Sequence, residues 1–394
     1  MSNLRAYTSL IRRSRSWWAV AACAVAATWA SAAPVTFVFT SDVHFGITRG
    51  SFRGETNVGS QAVNAAMVRA INGVSVATLP ADAGVNEGNP VGAVEFVVIT
   101  GDLSSRQELY PIPIQSSAAS WAQFQSGWIN GLALKDRRGM PAPLLFVPGN
   151  HDVSNAIGAP SKLLPATDAT ALAEIYNRMM HPAVPRTKDT YAYGTDKIYF
   201  SRDVGGAHCI FLTIWPETQA RAWIEADLKT VPADVPVFLF CHDPPAIEAR
   251  HLTNPNGKHE INGTDKFENV VGDIYSGAAE ASGDRKPDGS TVGEQRALAA
   301  FLKRHRNIVG YFHGHSNWTE FYTWKGPDGD LELRVFRADS PMKGKFSGKD
   351  EKKLSFQVVA FDTSTHRLTA RECLWNAGAA LTWGESATVS IAVP

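Results

Sequence analysis

Five short apolar runs, each closing on residues that can bind a metal ion or move a proton, constrain this chain more than any other feature. Residues 35–40 run into Ser41-Asp42-Val43-His44, 94–99 into Thr100-Gly101-Asp102, and 144–147 into Pro148-Gly149-Asn150-His151-Asp152. Residues 235–240 lead into Cys241-His242, and 308–312 into His313-Gly314-His315. Each run has strand length, is rich in β-branched and aromatic residues, and ends in a turn. Ligands of α/β folds bind at the carboxyl ends of strands, so clusters at these ends point to one shared site.

Helical patterns separate the runs. Residues 60–72 place Val63, Met67 and Ala70 or Ile71 on one face, with Ser60 as N-cap and Gly73 as the stop. Similar patterns cover 117–132, 168–180, 217–228 and 294–305. Alternating strands and helices predict α/β architecture with much parallel pairing. From 320 onward the pattern changes to consecutive strands at 331–338, 354–362, 367–376 and 385–393, so mixed sheets are expected. Three stretches break the pattern: 46–59 and 80–93, rich in Gly and Asn, and the polar insertion 246–290. Long loops after site strands are candidates to roof the pocket.

Residues 1–33 read as a leader. They carry Arg5, Arg12, Arg13 and Arg15 and no acid, then an apolar run from Trp17 to Ala30, then small residues before Pro34. Cleavage is expected after Ala32 or Ala33, leaving one domain over 34–394 that is secreted or periplasmic. Val20-Ala21-Ala22-Cys23 offers the alternative of a lipoprotein anchored at Cys23. The apolar run is shorter than the roughly 20 residues of a membrane span, and no transmembrane segment is expected. The whole chain has 38 basic and 38 acidic residues, which argues against stable nucleic-acid binding. Cys209, Cys241 and Cys373 have no short spacing and read as small buried hydrophobes, with one bridge left open.

The chemistry-bearing residues suit metals without thiolates. Asp42 and His44 are two apart, and on a strand such side chains leave the same face. Asp102 follows a glycine and has two oxygens with which to bridge two ions. Asn150 offers an amide oxygen, His151 an imidazole, and Asp152 a carboxylate able to orient that ring. His242 and His315 complete a nitrogen and oxygen set suited to iron, manganese or zinc.

In order, Asp42-Val43-His44, Gly101-Asp102, Gly149-Asn150-His151-Asp152, His242-Asp243-Pro244-Pro245 and Gly314-His315-Ser316-Asn317 resemble the motifs of the calcineurin-like metallophosphoesterases. Tyr191 to Ile214 looks like that family's aromatic-Gly-Gly strand pair, and the likeness spans about 35–320. The resemblance implies two packed mixed β-sheets flanked by α-helices. It also implies two metal ions and hydrolysis of phosphate esters by a hydroxide held between them. Asp102 would bridge; Asn150, His242 and His315 would hold one ion; Asp42 and His44 would hold the other. His151 would protonate the leaving oxygen, with Asp152 fixing its ring.

At the last motif Asn317 stands where the family has histidine. Either Asn317 ligates, or His313 substitutes, or that ion is weakly held. Ser105 stands where purple acid phosphatases carry a metal-bound tyrosine, which argues against a tyrosinate site. Asn150, His151 and Trp318 are candidates to touch substrate, Trp318 by stacking on a base or sugar. A phosphomonoesterase is favoured. The alternatives are a phosphodiesterase for cyclic nucleotides, nucleotides or lipid head groups, and a metal-dependent module that binds phosphate compounds without turnover. Oligomeric state is not legible.

Overall fold

The computed structural model describes residues 34–105, 115–153, 169–252, 271–274 and 291–393. The leader over 1–33 and most of the insertion 246–290 lie outside the described residues. Strand β1 (Val35–Thr40) is buried at every position, as a strand covered on both faces must be. Its even positions part company with its odd ones: Phe37 and Phe39 enter one apolar cluster and Val38 another.

β1 pairs in parallel with β4 (Val97–Ile99), which pairs in parallel with β5 (Leu144–Phe146). Its other edge meets β12 (Ser355–Asp362) antiparallel, followed by β13 (Arg367–Leu374) and β14 (Thr382–Ser390). The second sheet has the order β10-β11-β9-β8-β7-β6. These strands are β6 (Tyr199–Val204), β7 (Ala207–Leu212), β8 (Val237–Phe240), β9 (Ile308–His313), β10 (Glu320–Trp324) and β11 (Leu333–Arg337). Both sheets are mixed, because the C-terminal strands add antiparallel partners to parallel centres. Gly205 and Gly206 turn β6 into β7 with φ of 55° and 82°, a two-residue hairpin that only positive φ allows.

The sheets pack face to face through phenylalanines. Phe200, Phe211, Phe240, Phe312 and Phe336 on β6, β7, β8, β9 and β11 form a ladder of stacked rings with centroids 4.6 to 4.8 Å apart. That spacing is the strand repeat itself. From the first sheet, Phe37 meets the rings of Phe240 and Phe312 edge-on.

Helices cover the outer faces. α1 (Ser60–Asn72) and α2 (Ser117–Phe124) lie over the first sheet with the hairpin of β2 (Thr48–Phe52) and β3 (Glu55–Gly59). α3 (Thr170–Met180) touches β5 and β6, while α4 (Thr218–Asp227) and α5 (Val292–Arg304) cover the second sheet. Gly59, not Ser60, is the N-cap of α1, because the Ser60 hydroxyl is taken up accepting the Gly46 N–H at 3.0 Å. The 117–132 pattern is α-helix only to Phe124 and continues as a π-turn over Gln125–Ile129.

Residues 80–93 are fastened to the first sheet. Asp82 binds Arg371 at 2.8 Å and the Val85 N–H donates to Thr369 at 2.8 Å, which ties the loop to β13. Cys209, Cys241 and Cys373 are buried free thiols. No helix among the described residues is long and apolar enough to cross a membrane.

Candidate metal centre

Backbone strain marks the site before any side chain is considered. Asp42, His44, Asp102, His315 and Asn317 have φ of 56°, 44°, 53°, 64° and 64°. Left-handed backbone is uncommon outside glycine, and such outliers gather at functional sites. Asp42 and His44 therefore converge through left-handed turns past the end of β1, not by strand alternation as their spacing suggested. The loops are laced together by backbone bonds from Asp42 N to Gly101 O (3.0 Å) and His44 N to Asp102 O (2.9 Å). Gly101 is required, since a Cβ there would lie 2.6 Å from both Gly149 N and His242 Nδ1.

On one side of Asp102 four donor atoms converge. Asn150 Oδ1 lies 3.1 Å from His242 Nε2 and 3.2 Å from His315 Nδ1, and those two nitrogens are 3.2 Å apart. Asp102 Oδ1 is 3.5 Å from His242 Nε2. Ligands held about 2.1 Å from one ion stand roughly 3.0–3.4 Å from each other, so the set fits a cation. His242 Nδ1 donates to the Thr100 carbonyl at 2.7 Å, which leaves the Nε2 lone pair facing the cluster.

On the other side, Asp102 Oδ2 is 3.5 Å and Asp42 Oδ1 3.7 Å from His44 Nε2. The Asn317 amide nitrogen donates to the His315 carbonyl at 2.7 Å. Asp42 Oδ1 and Asn317 Oδ1 are buried without a hydrogen-bond partner. Uncompensated buried oxygens are costly, and a cation would satisfy them. Burial, with the Asp102 charge adding to it, pushes the Asp42 carboxyl up to about 6. Burial acts on Asp102 in the same sense, but the charges of His242, His44 and Lys343 hold it below the usual carboxylate range.

Two sequence readings are corrected here. Asp152 does not orient the His151 ring: its carboxylate accepts the N–H groups of Leu103, Ser104 and Gly149 at 3.1, 2.8 and 2.8 Å. Three backbone donors outbid one neighbouring imidazole, and Asp152 braces the loops instead. His313 does not reach the cluster, because Nδ1 donates to Gly314 O at 2.9 Å and Nε2 meets the Tyr322 hydroxyl at 3.0 Å. Trp318 is half-buried, and two cations already sit against its ring. The Arg337 guanidinium lies 3.9 Å and the Lys345 ammonium 4.0 Å from its centroid, and its N–H donates to Glu320 at 3.2 Å.

The sequence reading missed a supporting layer. Glu248 Oε1 is 3.1 Å from His315 Nε2, and Asp243 binds His251 Nδ1 at 2.5 Å beside them. The start of the 246–290 insertion thus does border the site. Asp243 directly follows His242 and was findable; Glu248 sits in a polar stretch with no pattern to single it out. The Ser105 hydroxyl lies 3.3 Å from His44 Nδ1. Lys343 Nζ lies 3.1 Å from His151 Nε2, on a loop that no motif marks.

Nitrogen and oxygen donors at the strand ends of a two-sheet sandwich, with one carboxylate common to two groups, define a metallohydrolase. Residues 35–318 match the calcineurin-like phosphoesterase family, and the chain belongs to it: it is a phosphoric ester hydrolase of a binuclear, metal-dependent family. Among solved structures, a dimetal phosphatase from Danio rerio is similar at TM-score 0.46 and 12% identity, over 91% of this chain and 99% of the other. The phosphopantetheinyl hydrolase of Mycobacterium tuberculosis is similar at 0.35 and 13%, over 78% and 91%. A putative 5'-nucleotidase from Staphylococcus aureus is similar at 0.37 and 12%, over 91% of this chain and 54% of the other. No curated protein matches the chain.

Proposed function

We propose that the protein is an exported phosphomonoesterase working with two ions drawn from iron, manganese and zinc. The observation that carries the reading is the division of one carboxylate. Asp102 turns Oδ1 to His242 and Oδ2 to His44, each at 3.5 Å. In this reading Asn150, His242 and His315 would hold one ion, Asp42, His44 and Asn317 would hold the other, and Asp102 would ligate both. Bound ions of this kind supply Lewis acidity and bring the pKa of water towards neutrality. Asn150 and His151 face the substrate, and His151 gives a proton to the leaving oxygen. A leader with basic, apolar and small-residue parts supports export.

Hydrolysis of aryl phosphate monoesters and diesters by mature protein loaded with manganese, iron or zinc tests the reading. Metal-dependent turnover, faster on the monoester and lost in Asp102→Asn, is expected. Faster diester turnover would make it a phosphodiesterase, and two bound ions without turnover on any ester a binding module. Intact mass of protein recovered from an exporting host tests the leader: the chain should begin at Ala33 or Pro34, and a lipid-modified Cys23 would replace that reading with an anchored one.

A further inference from the structure

The segment after β11 lies beyond the family match, yet it is fastened to the metal centre from several sides. The Ser340 hydroxyl donates to the Asp42 carbonyl at 2.7 Å, and the same oxygen accepts the Lys343 N–H at 2.9 Å. The Lys345 N–H donates to the Asn317 carbonyl at 2.7 Å. Buried Arg49, from the β2–β3 hairpin, donates to the Pro341 carbonyl at 2.8 Å. At Gly344 a Cβ would lie 2.7 Å from Asp339 Oδ1, so the backbone runs close against its own loop. Lys343 thus has a fixed backbone and an exposed side chain whose ammonium stands 3.1 Å from His151 Nε2.

We propose that Lys343 is a substrate-binding residue that, beside His151, grips a phosphoryl oxygen and sets a preference for dianionic monoesters over monoanionic diesters. This rests on the phosphoesterase reading above. The ammonium donates to the imidazole lone pair. A phosphoryl oxygen is the stronger acceptor, because its negative charge adds a Coulomb attraction to the ammonium that a neutral imidazole lone pair does not offer. A monoester carries about −1.5 to −2 at neutral pH and three free oxygens, so one remains for Lys343 after two face the metal ligands. A diester carries a single charge and only two such oxygens. The lysine therefore adds more to monoester binding than to diester binding.

The test compares wild type with Lys343→Met and Lys343→Arg, each loaded with manganese. Lys343→Met should lower kcat/KM for an aryl monoester about 10–100-fold, against less than about threefold for the diester, and Lys343→Arg should recover much of the loss. Calorimetric titration with inorganic phosphate supplies a second readout, with Kd weakened roughly tenfold in Lys343→Met. An unchanged monoester-to-diester ratio together with unchanged phosphate affinity overturns the proposal, as does an equal loss on both esters. Wild type that turns over neither ester would count against the phosphoesterase reading, while the phosphate titration still decides whether Lys343 holds phosphate.

Discussion

Glu248 holds His315 from behind: its Oε1 lies 3.1 Å from Nε2 of the ring, while Nδ1 faces Asn150 and His242. A carboxylate on the far nitrogen fixes tautomer and orientation of a ligating imidazole. Glu248→Gln should weaken manganese or zinc binding about 10–100-fold, measured by competition with a chelating dye. Affinity equal to wild type would show that the ring is held without Glu248.

Asn317 gives the second prediction. Its Oδ1 is buried without a hydrogen-bond partner. Asn317→Ala should reduce retained metal to about one ion per chain after dialysis, by elemental analysis, whereas Asn317→His should tighten the weaker site by roughly tenfold. Two tightly held ions in Asn317→Ala would remove Asn317 from the ligand set.

Asp339 makes stability depend on pH. Burial, with no hydrogen bond to either carboxylate oxygen to relieve it, pushes its carboxyl from 3.8 up to about 8. Between those values the folded protein keeps a proton that the unfolded chain has released, so stability falls as pH rises from about 4 to about 8. Asp339→Asn escapes this cost. It should be more stable than wild type by on the order of 2–4 kcal/mol at pH 8, with the gap closing near pH 4. Urea denaturation at pH 4, 6 and 8 measures it, and a gap independent of pH contradicts the assignment.

Phe240 joins the two sheets. Its ring stacks on Phe211 and Phe312 at 4.8 and 4.7 Å and meets Phe37 from the facing sheet at 5.8 Å. Phe240→Ala should cost about 3–5 kcal/mol in equilibrium unfolding, because packed neighbours relax only partly into the cavity. A loss under about 1 kcal/mol would mean that the ladder can close over the gap.

Much of this was legible along the chain because its causes are local. A short apolar run at 35–40 and a 3.6-residue repeat in 60–72 are properties of single segments, and both elements form with those bounds. Asp42, His44, Asp102, Asn150, His242 and His315 follow strands whose carboxyl ends must point one way once they lie parallel. Sequence therefore determined the α/β class, the strand-end residues and the family they resemble.

Tertiary structure decided what depends on distance between segments far apart in the chain. Asp152 was adjacent to His151, but backbone N–H groups from another loop captured its carboxylate. His313 and Asn317 each stand two residues from His315, but the fold takes one ring to Tyr322 and leaves the other residue's amide oxygen buried without a hydrogen-bond partner. Lys343 is 192 positions from His151, and only the packing of β11 and its following loop onto the metal centre brings their nitrogens together. Side-chain chemistry is written residue by residue, whereas which groups compete for one another is settled when the sheets close and water leaves.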